Sequence, residues 1–62
     1  MTPQEMKREI ESELHYNHIF ITHVAKKIGR SRFTVYNWLK DMTPQRYDAL
    51  KRAIADILDE RK

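Results

Sequence analysis

The 62-residue sequence predicts an all-α domain of four helices, on three observations. Apolar side chains recur at helical spacing in four separate stretches. Residues that start or stop helices bound each stretch, and nothing alternates with the two-residue period of a strand.

The first helix is expected from about Pro3 to Leu14 or Tyr16. Thr2 supplies an N-cap, Pro3 sits where its missing N–H costs nothing, and Glu5 completes a capping box. Met6, Ile10 and Leu14 form its apolar stripe. A polar link, Tyr16 to His18, leads to the second helix, whose Ile21, Val24, Ala25 and Ile28 follow helical spacing without a miss. Gly29 ends it, because glycine takes positive φ without steric cost.

The third helix, about Arg32 to Asp41, is capped by Ser31. It turns Val35, Trp38, Leu39 and Met42 inward and Arg32, Phe33, Tyr36, Asn37 and Lys40 outward. Thr34, Val35 and Tyr36 are weak helix formers, so packing of Trp38 and Val35 must hold it. Thr43, Pro44 and Gln45 repeat the opening Thr-Pro-Gln and start the fourth helix, which runs to about Glu60. Its stripe of Tyr47, Leu50, Ile54, Ile57 and Leu58 is the candidate dimer interface, with part of it packing on the chain's own core.

Length and composition narrow the function classes. A chain this short forms one domain and buries only about 60% of its unfolded surface. No cysteine is present, which excludes disulfides and thiolate zinc sites. The longest apolar run, Ile19 to Ile21, is far short of the ~20 residues that span a bilayer. A soluble, cytoplasmic protein is therefore expected.

The net charge of +3 is unevenly spread: residues 1–20 carry −2, residues 21–40 carry +5 without one acidic side chain, and residues 41–62 balance to zero. Segregation of this kind suits a polyanion, because each Lys or Arg set on a phosphate releases condensed counterions.

Within that basic stretch Ala25, Gly29, Val35 and Trp38 stand at offsets of four, six and three, the spacing of a helix-turn-helix. Ala25 gives the small residue needed where two short helices cross. With Ser31 and Thr34 also in place, residues 20–42, and the wording VAKKIGRSRFTVYNWLKD above all, resemble the lambda-repressor-like family of phage repressors, Cro proteins and XRE-type regulators. The resemblance implies a phage or bacterial transcription regulator, acting in the bacterial cytoplasm or the infected cell. Such proteins bind operators in double-stranded DNA, usually as dimers, with the third helix in the major groove.

On that reading Arg32 can grip guanine O6 and N7, and Asn37 can pair with adenine N6 and N7. Phe33 can meet thymine methyl groups, and Tyr36 can stack or donate its hydroxyl near the groove wall. Alternatively, Arg32 is solvated or bound to a phosphate, and Phe33 folds back over the core edge. Lys26, Lys27, Arg30 and Lys40 suit phosphates, as point charges on flexible stems. Thr34 and Ser31 can join them, although capping is the stronger role for Ser31, and Thr22 or His23 would make the phosphate contact at the start of the second helix.

His15, His18 and His23 raise the question of a metal, but they straddle a helix end without a supporting cysteine or carboxylate pattern, so no metal and no cofactor are expected. No glycine-rich phosphate loop or nucleophile pattern points to an enzyme. Two other readings compete with the regulator. One is a protein-interaction module, an antirepressor or repressor modulator that binds a repressor through Phe33 and Tyr36. The other is an excisionase-like or transposase-like architectural DNA binder.

Overall fold

The computed structural model describes residues 1–61 and holds four α-helices and no strand among them. They are α1 (Pro3–Tyr16), α2 (Ile21–Ile28), α3 (Arg32–Lys40) and α4 (Pro44–Glu60). No helix among these residues is long and apolar enough to cross a membrane.

Three of the four starts are fixed by a local side-chain cap. Thr2 Oγ1 accepts from the Glu5 N–H at 3.2 Å while a Glu5 carboxylate oxygen accepts from the Thr2 N–H at 3.3 Å, a complete capping box. Ser31 Oγ accepts from the Thr34 N–H at 3.3 Å, and Thr43 Oγ1 from the Arg46 N–H at 3.2 Å. At α2 the capping position falls to Phe20, whose side chain makes no cap. That is a poor choice by about 1 kcal/mol relative to serine or aspartate.

Two helix ends share one geometry. At the end of α2, Arg30 N–H donates to Ala25 O at 2.9 Å and Gly29 N–H to Lys26 O at 3.2 Å, with Gly29 at φ +71°. A Cβ there would meet nothing within 4 Å, so the backbone angle alone, not space, calls for glycine. At the end of α1, Ile19 N–H donates to Leu14 O at 2.8 Å and His18 N–H to His15 O at 3.2 Å, with His18 at φ +54°. The histidine bears the strain that glycine avoids. Burial of Leu14 and Ile19 beneath the turn holds it, and the Arg61 guanidinium donates to the Asn17 and His18 carbonyls.

α4 packs on α1 and α2, and α3 packs on α2. The core joins Met6, Ile10 and Leu14 of α1, Ile19 of the link, Val24 and Ala25 of α2, Val35 and Leu39 of α3, Met42, and Leu50, Ala53, Ile54 and Ile57 of α4. No polar residue among those described is buried with them. Ile21, Ile28, Trp38, Tyr47 and Leu58 pack against this core while keeping some surface.

Two expectations are corrected here. Leu50, Ile54 and Ile57 are buried inside the chain's own core, so they cannot form a dimer surface. Only Tyr47 and Leu58 of that stripe keep exposure, far less than the roughly 800 Å² per partner of a stable interface. Trp38 is half-buried, with the Arg46 guanidinium 5.9 Å from its ring centroid.

A polar clamp closes the α1–α4 seam. Tyr47 Oη donates to Glu9 at 2.7 Å, and Lys51 Nζ donates to Glu13 at 2.7 Å and to Glu9 at 3.4 Å. The Tyr47 hydroxyl, aided by Lys51, holds the Glu9 carboxyl below its ordinary range. Glu9 in turn pushes the Tyr47 phenol up, and Glu13 raises Lys51.

A carboxylate lowered in the fold stabilises it above its unfolded pKa and loses that contribution as the pH falls through the folded value. A phenol or ammonium raised in the fold stabilises it below the unfolded pKa and loses that contribution as the pH rises through the folded value. Thermal melting is therefore expected to be flat across neutral pH and to fall below about pH 4 and above about pH 10. Tyr47→Phe is expected to shrink the acid limb but not abolish it, because Glu5 is lowered independently by its bonds to Thr2. An unchanged acid limb in that variant would show that the clamp does not couple to folding.

Candidate nucleic-acid interface

The turn of Gly29, Arg30 and Ser31 joins α2 to α3 and leaves one side of α3 uncovered. Burying Val35 and Leu39 forces residues 32, 33, 36, 37 and 40 onto one opposite face, because the helix turns once in 3.6 residues. Arg32, Phe33, Tyr36, Asn37 and Lys40 are all exposed there. The four residues expected to meet bases thus stand together on one surface. Phe33 does not fold back onto the core: it is 66% exposed, and the Arg32 guanidinium lies over its ring at 5.2 Å. That stacking orients a long cation which would otherwise sample many rotamers.

The expected phosphate residues are less uniform. Lys26, Arg30 and Thr22 are exposed and His23 is half-buried. Lys27 is ion-paired with Glu60 of α4 and lines a recess with Arg30, Trp38 and Arg52. Ser31 and Thr34 bond to each other, hydroxyl to hydroxyl at 3.3 Å, while Ser31 caps the helix. Ser31 therefore serves the fold first.

Two depressions flank the α3 ridge. On the α4 side Arg30, Thr34, Trp38, Gln45 and Arg46 line a recess of about 380 Å³. Arg46 is held in place there, donating to the Asp41 carbonyl at 2.7 Å and lying 3.5 Å from its carboxylate. Two arginines, a threonine and a glutamine line this one recess, residue types whose donors suit a phosphate group. Gln45 and Arg46 were not legible as site residues, because the Thr-Pro-Gln start of α4 reads only as a helix cap. The available signal was a cation just inside that helix, across the short link from α3.

On the α1 side lies a groove of about 480 Å³, bordered by α1, the start of α2 and the second half of α3. Tyr36, Asn37 and Lys40 belong to both this groove and the outward face. His15 lines it as well, whereas His18 sits in the α1–α2 turn and His23 in α2.

No acidic residue occurs from Leu14 to Lys40, so the outward surface of α2 and α3 is cationic without internal neutralisation. Along the sequence Glu13 and Asp41 border this stretch, while in space Glu60 pairs with Lys27 and Glu11 lines the α1-side groove with Lys40. Glu13 is engaged by Lys51, and Asp41 is bonded to Arg46. Compared with protein-family models, with curated proteins and with solved structures, the chain matches none.

Proposed function

We propose that the chain is a sequence-specific double-stranded DNA-binding transcription regulator whose α2 and α3 act as a helix-turn-helix. α3 enters the major groove, Arg32 and Asn37 read base edges, and Phe33 and Tyr36 give apolar contact. The observation that carries this reading is the uncovered α3 face itself, with a stacked arginine and a carboxamide on it and a two-arginine notch beside it. Lys26, Arg30, Lys40 and Arg46 flank the duplex as phosphate contacts. Lys27 is not among them, because Glu60 holds it.

The exposed aromatic pair favours a second reading, in which the same face grips a repressor protein. An architectural, excisionase-like role shares the DNA-binding step and differs in bending the duplex.

Titration of random-sequence duplex across a salt series tests the electrostatic half. Log affinity is expected to fall linearly with log salt. Arg46→Ala should make that slope shallower by about 1, and Lys27→Ala should leave it unchanged. No binding at low salt would remove DNA as the partner and leave the protein-interaction reading.

A further inference from the structure

We propose that the groove between α1 and α3 docks an acidic, aromatic-bearing segment of a partner protein, and that its occupant excludes DNA. The exclusion rests on the DNA reading of α3, whereas the docking does not.

The groove asks for two chemistries at once. Its floor is apolar, formed by the edges of Leu14, Ile19 and Leu39 and by the half-buried Ile21. Its rim carries the ammonium groups of Lys7 from α1 and Lys40 from α3 beside the imidazole of His15, and none of these three side chains makes a hydrogen bond or ion pair among the described residues. Glu11 is the single carboxylate lining it among those residues. A guest that fits must lower a large apolar side chain to the floor and bring negative charge to the rim.

A duplex supplies phosphates but no apolar side chain of that reach. A second copy of the chain has no exposed ring flanked by negative charge. Phe33 and Tyr36 lie beside Arg32 and Lys40, Tyr16 and Phe20 lie in residues 14–25, which hold no Asp or Glu, and Met1, exposed in the acidic first stretch, carries no ring. An acidic polypeptide with a phenylalanine or tyrosine between its carboxylates meets both demands. The volume, about 480 Å³, holds one such ring and the backbone beside it. Seated there, the peptide covers Tyr36, Asn37 and Lys40, the second half of the face that would lie in the major groove. Bound peptide and bound duplex are then mutually exclusive.

The probe is a short capped peptide alternating phenylalanine with aspartate, titrated into the isotope-labelled protein and followed by backbone amide shifts. Shifts are expected to cluster at Ile19, Ile21, Tyr36 and Asn37. The double variant Lys7→Gln, His15→Gln lies on α1, off the α3 face. It should weaken the peptide by roughly tenfold and leave the duplex nearly unaffected.

Peptide should also displace labelled duplex at matching concentration. The docking proposal is overturned if the peptide with asparagine for aspartate binds equally well, if the shifts centre on Arg30 and Arg46, or if no shift occurs. It is likewise overturned if the groove amides respond to protein concentration alone, which would make a second copy the occupant. Peptide in the groove without duplex binding at low salt would keep the docking site and discard the DNA reading. Peptide and duplex bound together would discard the exclusion.

Discussion

Leu50→Ala is expected to destabilise the domain by about 2 to 5 kcal/mol, through lost apolar burial and the cavity left behind. Leu50 is fully buried where α4 packs on α1 and α2, in a core that holds no polar residue among those described. A domain of this size has roughly 3 to 9 kcal/mol in total at the usual stability per residue. The variant should therefore melt about 10 to 30 °C lower or be unfolded at room temperature.

Leu50→Met conserves volume and is expected to cost less than about 1.5 kcal/mol. Calorimetry at two protein concentrations separates core from interface. A core role lowers the melting temperature equally at both concentrations. A role on a dimer surface would leave the dilute melting temperature unchanged and alter only its concentration dependence.

Arg32→Ala carries the second large effect, on specificity. A bidentate arginine–guanine pair contributes about 1 to 3 kcal/mol of discrimination, so the preference for one base pair should fall by roughly 5- to 150-fold. Affinity for random duplex should change far less. Arg32→Lys keeps the charge but not the fork, and it should lose the preference while keeping the salt slope. Phe33→Ala tests the positioning of that fork, since removal of the ring 5.2 Å from the guanidinium frees it to wander. Competition binding against a duplex substituted at that base pair measures all three variants. Equal loss on every sequence after Arg32→Ala would reassign the residue to phosphate.

How much of this was legible in the chain follows from the range of the forces involved. The helix bounds were legible because their determinants are local: Thr2, Ser31 and Thr43 cap the helix that each precedes, and Gly29 takes the left-handed angle that ends α2. His18 takes the same kind of angle without a glycine to announce it, because the Leu14–Ile19 contact and the Arg61 bonds that hold it come from packing and from the far end of the chain.

The outward α3 face was legible for a related reason, since helical periodicity separates Val35 and Leu39 from Arg32, Phe33, Tyr36, Asn37 and Lys40. Periodicity marks an apolar stripe, however, without naming what covers it. That is why the α4 stripe read as an interface when Leu50, Ile54 and Ile57 in fact pack on α1 and α2. Lys27 and Arg46 fail in the same way. The partner of Lys27 is Glu60 near the other end of the chain, and Arg46 lines a recess with Arg30 only once α4 has packed on α2.

The most direct test of duplex reading by α3 is selection from a randomised double-stranded DNA pool at physiological salt, run in parallel with wild type and Arg32→Ala. Wild type is expected to enrich a recurrent motif. The variant should enrich a motif that has lost one guanine position and kept the rest. A wild-type pool that stays random, although the protein is folded and its random-duplex affinity depends on salt, would contradict sequence reading by α3.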